Sequence, residues 1–296
     1  MLKVALWMGG AIASFTAMAI GGRAVSDTLN TFEIMLFRSL IGLALVIIVG
    51  RAAGTLHQIN RDRLGLHFIR NAAHFTGQNF WFYALPLVPL TQLFALEFTT
   101  PIWVILLSPL ILKERLTWVG IAAATLGFIG ILMVARPEAA PIGIGFFSAA
   151  SCAVFFALTA ILTRLLTRTE TITCIMFFLT LTQAIFGAAM LLIVPPIADL
   201  FGVTIFNLTG SITWPPLTVW PWVILIAIAG LLAHFCLTTA LSLAPASIVM
   251  PIDFIRLPLI AVIGMMFYNE PLSIMVLLGA CLIFAANYLN ITRGAR

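Results

Sequence analysis

Ten apolar segments, each near the length of a membrane-crossing helix, occupy most of the chain. They read as residues 2–21, 31–49, 66–85, 91–112, 116–135, 142–163, 172–194, 221–243, 246–268 and 272–291. About 20 helical residues cross a bilayer's hydrocarbon core, and only helices and closed barrels satisfy their backbone groups there. Charged residues make up 8% and hydrophobic ones 62%, whereas soluble domains carry about 25% charged. A soluble domain is excluded. The predicted fold class is an all-α membrane protein with ten transmembrane helices. Pro86, Pro89 and Pro245 separate adjoining runs, because proline ends a helix. Only residues 50–65 and 195–220 form long connections; the second holds Pro195-Pro196 and Trp214-Pro215-Pro216.

Orientation follows from the cations. With the N-terminus in the cytoplasm, the inner side holds Lys3, Arg51, Arg61, Arg63, Arg70, Lys113, Arg115, Arg164, Arg168, Arg293 and Arg296, against Arg23 and Arg136 outside. Lys and Arg collect on the cytoplasmic side, so both termini are predicted there. The same asymmetry accounts for the net charge of +5. No basic run interleaves with aromatics on a soluble face, so no nucleic-acid partner is expected. Trp81, Tyr83, Trp214, Trp220, Trp222 and Tyr268 fall towards the outer ends and read as an interfacial aromatic belt.

The chain repeats itself. Shifting residues 84–128 by 156 positions pairs Pro89 with Pro245, Phe98 with Phe254, Glu114 with Glu270 and Leu116 with Leu272. It also pairs Glu97 with Asp253. A shift of 141 pairs Arg23 with Arg164, Ile34-Met35 with Ile175-Met176 and Phe37 with Phe178. The first segment therefore matches the sixth. Lys3, the apolar run and Ala17-Met18-Ala19 imitate a cleavable signal, but the match predicts a retained helix. The expected organisation is two five-helix repeats, residues 1–138 and 139–296. Five spans per repeat turn the second upside down, an architecture of secondary transporters with the substrate site near the midplane.

Several short motifs carry a family resemblance: Phe37-Arg38 with Gly42, Ala84-Leu85 before Pro89-Leu90, Phe98 with Pro101, and Glu114-Arg115-Leu116. Gly127-Phe128-Ile129-Gly130 and Arg136-Pro137 follow, then Arg256-Leu257-Pro258 and Glu270-Pro271-Leu272 in the second copy. In this order the chain resembles the EamA-type ten-helix carriers of the drug/metabolite transporter superfamily. The resemblance implies a secondary active transporter of the inner membrane, working by alternating access. It implies first an exporter of amino acids or related zwitterionic or carboxylate metabolites, and alternatively an importer of metabolites or cofactors. It also implies a cavity lined mainly by spans 3, 4, 8 and 9, with spans 5 and 10 peripheral.

Charges inside spans are costly and mark function by default. Arg38, Glu97, Asp253 and Arg256 are such groups. Asp253 and Arg256 are three apart and share a helix face. Glu97 lies about 9 Å deep and Arg38 about 10 Å deep at 1.5 Å per residue, so these two read as partners across helices. Either pair can lock helices together or serve transport. In the functional reading Arg256 attracts a substrate carboxylate. Burial penalises a charged carboxylate, making Glu97 and Asp253 the proton-coupling or gating candidates. His74, Gln78, Arg38 and Trp103 complete the substrate-binding set. Gln183, Asn287 and His234 are further polar residues within spans.

Cys152, Cys174, Cys236 and Cys281 lie in apolar stretches and read as packing residues. The histidines, His57, His67, His74 and His234, lack metal-ligand spacing, so no metal site is expected. No cofactor is expected either, and no phosphate-binding GxxxxGK[ST] occurs. An intramembrane enzyme needs paired acids, a Ser/His pair or a metal set facing one cavity; no HExxH or GxGD occurs, and none is expected. The expected partners are a small-molecule substrate, the lipid bilayer and a coupling proton, with the chain a monomer or homodimer.

Overall fold

The computed structural model describes residues 2–113, 118–135, 143–201 and 214–268, with short stretches between 274 and 286. Eleven α-helices lie in the first four stretches: α1 (Leu2–Val25), α2 (Thr31–Ala52), α3 (Leu64–Ala84), α4 (Leu90–Glu97), α5 (Thr100–Ile111), α6 (Trp118–Ala135), α7 (Ile144–Leu166), α8 (Ile172–Phe201), α9 (Trp220–Leu243), α10 (Ala246–Ile252) and α11 (Arg256–Tyr268). Among the described residues, six segments are long and apolar enough to cross a membrane: Leu2–Val25, Thr31–Ala52, Gln92–Ile111, Ile144–Leu166, Ile172–Pro195 and Trp220–Leu243. Glu114, Arg115, Arg136, Pro137, Glu270 and Asn287, together with most of the tenth segment, lie outside the described residues.

Two predicted spans are broken. The fourth divides into α4 and α5 around Phe98-Thr99, and the ninth into α10 and α11 around a 3-10 turn, Asp253–Ile255. The local chemistry supports the first break. Pro101 sits in the first turn of α5, where its missing N–H costs nothing. The Thr99 hydroxyl donates to the Leu96 carbonyl at 2.8 Å. The Thr100 hydroxyl donates to the Glu97 carbonyl at 2.5 Å and lies 3.2 Å from the Ala153 carbonyl. Freed carbonyls in a membrane need such partners. The second break falls at the same register, since α11 opens 156 residues after α5.

Helix ends elsewhere obey ordinary capping rules. The Asn30 side chain accepts from the Phe32 and Glu33 amides at 3.0 Å, and the Asn30 amide donates to the Glu33 carboxylate at 2.9 Å. This reciprocal box starts α2. The repeat-matched arginines act alike at the other ends. Arg23 donates to the Val88 carbonyl at 2.9 Å, beyond α3, and Arg164 to the Leu241 carbonyl at 2.6 Å, at the end of α9. A cation at a helix C-terminus satisfies orphan carbonyls and opposes the dipole. One boundary differs from expectation: Pro195-Pro196 lies inside α8, because a spanning helix can re-satisfy groups freed by proline.

Packing follows matched pairs. The principal neighbours are α1 with α9, α3 with α7, and α2 with α8. Gly187 lets α8 approach α2 closely: a Cβ there would lie 3.1 Å from the Leu36 amide nitrogen. Outward faces carry Leu6, Leu106, Leu110, Trp118, Leu192 and Met266, all well exposed. Inside lie Arg38, Arg70, Asn71, His74, Gln78, Glu97, Asp253 and Arg256, all buried. Apolar surface outside and polar groups inside suit lipid as the solvent.

Candidate functional site

The broken helices bring three charges together. Arg256, first residue of α11, donates through Nη2 to Glu97 Oε1 at 2.5 Å and to Asp253 Oδ2 at 2.7 Å. Phe15, Phe94 and Phe98 place their ring centroids 4.9 Å from the Arg256 guanidinium carbon. Each such cation–π contact contributes about 0.5–2 kcal/mol, more when water is excluded. Trp81 donates its indole N–H to Glu97 Oε2 at 2.6 Å. Both Glu97 oxygens therefore have donors. Asp253 Oδ1 and Arg256 Nε are buried without a protein partner.

This geometry corrects the expected pairing of Arg38 with Glu97. Arg38 instead donates to Gln78 Oε1 and lies over the Phe82 ring at 5.8 Å. Gly230 makes the room, since a Cβ there would sit 2.7 Å from Arg38 Nη2. Equal depth along two spans does not decide which way each helix turns its residue: α4 runs unbroken to Glu97, yet Glu97 faces Arg256 and Trp81 while Arg38 faces Gln78.

A cavity adjoins the triad. Its wall takes Phe15 and Met18 from α1, then Arg70, His74, Gln78 and Trp81 from α3. Phe156, Thr159 and Thr163 come from α7, and His234 and Thr238 from α9. Glu97 and Arg256 close one end. The space open to the centre of a water molecule is ≈ 60 Å³, well above the roughly 10–15 Å³ that a single water needs. His74 and His234 meet edge to face, 4.4 Å between centroids. Both His74 ring nitrogens and His234 Nε2 are buried without a protein partner. Arg70, 1% exposed, donates to Thr163 Oγ1 at 2.9 Å and Asn71 Oδ1 at 2.8 Å. Eleven residues of α3 separate Arg70 from Trp81, about 16 Å at 1.5 Å per residue. The cavity thus has a cationic end at Arg70, two histidines midway and the acid-bearing triad beyond.

Of the predicted substrate-binding residues, Arg256, His74 and Gln78 line this cavity. Arg38 stands behind Gln78 and borders a smaller chamber of ≈ 20 Å³ that shares His234. Trp103 does not join them: it is 39% exposed on α5 and absent from both walls. Central depth does not decide which way a helix turns a residue, and the break before α5 resets the phase. Glu97 lies on the wall, and Asp253 reaches it through Arg256. Trp81 is 2% exposed and thus outside the interfacial belt. Gln183 joins Asn71 through the Asn71 carbonyl at 2.8 Å and lines the small chamber.

Arg70 was counted among the cytoplasmic loop cations and missed as a cavity residue. The signal was present: Arg70, His74, Gln78 and Trp81 are spaced four, four and three apart, one face of a helix. His67, Glu170 and Cys174 also converge, with ligand-type atoms within 4.8 Å. Linear spacing could not show this, because 103 residues separate His67 from Glu170.

Comparison with known proteins agrees with this architecture. Residues 2–136 match the EamA-like transporter family. A riboflavin transporter of Brucella anthropi is 30% identical over 229 residues, 77% of either chain. An S-adenosylmethionine uptake transporter of Rickettsia bellii is 22% identical over 287 residues, covering 95% of this chain and 90% of that one. A crystal structure superposes with a TM-score of 0.75 at 19% identity, covering 97% of this chain and 95% of that one, and shows the shared fold. The chain belongs to the EamA-like transporter family of the drug/metabolite transporter superfamily and is a multi-pass membrane transporter.

Proposed function

We propose that this transporter takes up a heteroaromatic metabolite with polar groups at both ends, across a bacterial inner membrane, by alternating access. The carrying observation is the wall itself. Phe15 packs beside His234 and Phe156 beside His74, at 5.3 and 6.2 Å between ring centroids, Trp81 shares the wall, and three of the histidine nitrogens there have no protein partner. A flat ring system takes up the faces, and its ring heteroatoms take up the histidines. Arg70 and the triad then meet polar groups at the two ends. Riboflavin and S-adenosylmethionine, the compounds in the relatives' names, are the first to test. The ≈ 60 Å³ cavity is too small for either, so substrate entry requires the halves to part.

Two observations support alternating access between repeats 1–138 and 139–296, in a chain of ten spans with both termini cytoplasmic. The breaks at Glu97 and Asp253 stand 156 residues apart, and discontinuous helices mark transporter binding sites. Arg256 binds one acid from each break. Two carboxylates facing one guanidinium leave one negative charge in excess, and a coupling proton neutralises it. In this reading Arg256, His74, Gln78 and Arg38 serve substrate, while Glu97 and Asp253 serve coupling or gating.

The test is uptake into proteoliposomes of labelled riboflavin or S-adenosylmethionine, with and without an imposed pH gradient. Saturable uptake accelerated by the gradient, and lost in Glu97→Gln, is expected. Export of amino acids is the second reading, favoured by the neutral partners of Arg70, which suit a substrate carboxylate. Amino-acid counterflow with no uptake of either heteroaromatic compound would select it.

A further inference from the structure

Away from the cavity, at the end of α3 that follows the basic 51–63 segment, lies a second cluster of chemically capable groups. His67 stands one turn into α3, Glu170 in the turn between α7 and α8, and Cys174 in the first turn of α8. All three are buried, at 1%, 7% and below 1% exposure. Cys174 Sγ lies 3.8 Å from His67 Nε2. The thiol sulfur, one imidazole nitrogen and one carboxylate oxygen all fall within 4.8 Å of one another.

The donor set is that of a borderline-soft divalent ion. Zinc takes thiolate at about 2.3 Å and imidazole or carboxylate at about 2.0–2.2 Å, in tetrahedral geometry. Those bonds place neighbouring donors about 3.3–3.8 Å apart. The sulfur and imidazole already meet this spacing. The widest pair needs about 1 Å of contraction, within reach of a Glu170 side-chain rotation. The surroundings hold the donors in place. Glu170 Oε2 accepts from Asn60 Nδ2 at 2.9 Å, and the His67 ring packs on Phe178 with centroids 4.6 Å apart. Hydrogen-bonded carboxylates and oriented rings are usual around bound metal.

We propose that His67, Glu170 and Cys174 form a zinc-binding site that cross-links α3 to the α7–α8 turn and to α8. Binding replaces the thiol S–H bond with an S–Zn bond. The proton passes to solvent, and the six-coordinate aqueous ion sheds all but one of its waters, the last remaining as the fourth ligand of the tetrahedral site. The carboxylate and thiolate together match the charge of the ion. The site is separate from the substrate cavity, and its existence does not depend on which metabolite is carried.

The test uses the purified full-length transporter in detergent, freed of any histidine tag, titrated with Co²⁺ as a spectroscopic substitute and then with Zn²⁺. One thiolate-to-cobalt charge-transfer band, saturating at one Co²⁺ per chain and bleached by Zn²⁺, is expected. Cys174→Ser abolishes the band, and Glu170→Gln weakens Zn²⁺ binding at least tenfold. Cys281→Ser, at an exposed thiol, leaves the band unchanged. Should Cys174→Ser fail to fold, mass-spectrometric alkylation of the wild type gives the answer, because Zn²⁺ must slow labelling of Cys174 and leave Cys281 unaffected. Absence of the band from folded wild type, its survival in Cys174→Ser, or equal labelling of Cys174 with and without Zn²⁺ overturns the proposal.

Discussion

Removing the guanidinium from the triad at the helix breaks tests the site's electrostatics most directly. Arg256→Met keeps an unbranched side chain among Phe15, Phe94 and Phe98 but deletes the shared donor of Glu97 and Asp253. Breaking a buried pair by deleting one partner costs about 3–5 kcal/mol, because a charge stays behind unpaired. Two acids are stranded here, and the rings lose their cation, so the upper part of that range is expected. At about 2–4 °C per kcal/mol, the unfolding midpoint falls by roughly 8–20 °C. Replacing an entire buried ionic group with neutral groups of similar shape is often neutral or stabilising. The triple variant Glu97→Gln/Asp253→Asn/Arg256→Met should therefore recover most of the loss. The glutamine oxygen still accepts from Trp81. A thiol-reactive dye can follow unfolding in detergent, because Cys152, Cys174 and Cys236 are buried and react as the fold opens. A triple variant no more stable than Arg256→Met alone would refute the charge argument and leave lost packing as the cause.

Three further outcomes follow from single contacts. His74→Phe should leave the unfolding midpoint unchanged or raised, since no protein group bonds either ring nitrogen, while proteoliposome transport falls at least tenfold; a stability loss with transport intact would contradict the cavity assignment. Gly230→Ala pushes a methyl against Arg38 and should cost about 1–3 kcal/mol by overpacking, a cost that vanishes in an Arg38→Ala background in a double-mutant cycle. Trp81→Phe deletes the donor to Glu97, a hydrogen bond to a charged group worth about 1.5–3 kcal/mol, and should lower the same midpoint by about 3–12 °C.

Much of this molecule is legible in its residues, and the failures have a common origin. Apolar length separates the spans, because the bilayer sets that length. The costly intramembrane charges identify Glu97, Asp253 and Arg256 without a structure. The partner of Glu97 is Arg256 and not the expected Arg38, since equal depth in two spans does not fix which way each helix turns its residue. Trp103 stands outside both cavity walls for the same reason. Arg70 was lost to the counting of cations by boundary, although the α3 stripe through His74, Gln78 and Trp81 carried it. The His67–Glu170–Cys174 cluster had no complete linear signal, because His67 comes from α3 while Glu170 and Cys174 come from the α7–α8 turn and α8, about a hundred residues later.

The contacts join the repeat to the site. Exchange spans 1, 2, 3 and 4 with spans 6, 7, 8 and 9. The α1–α9 pair then becomes the α7–α3 pair, and α2–α8 maps onto itself. The α4–α7 and α5–α7 contacts likewise map onto those of α1 with α10 and with α11. The broken helices also pair with each other, α10 with α5 and α11 with α4, so the triad lies where the exchange leaves the packing unchanged. The register 156 residues apart sets Glu97 against Asp253 but Thr100 against Arg256. The matched segments thus share a helix break and differ in charge, and one arginine answers two acids. In the proposed two-repeat reading, near-equivalent halves allow two arrangements of similar energy. The unequal charge gives a proton or substrate different interactions in each, and only such a difference shifts a two-state equilibrium. Thr100→Arg would supply the second guanidinium and remove the excess negative charge. Transport driven by a pH gradient should then collapse while the fold persists; gradient-driven transport at the wild-type rate would place the coupling site elsewhere.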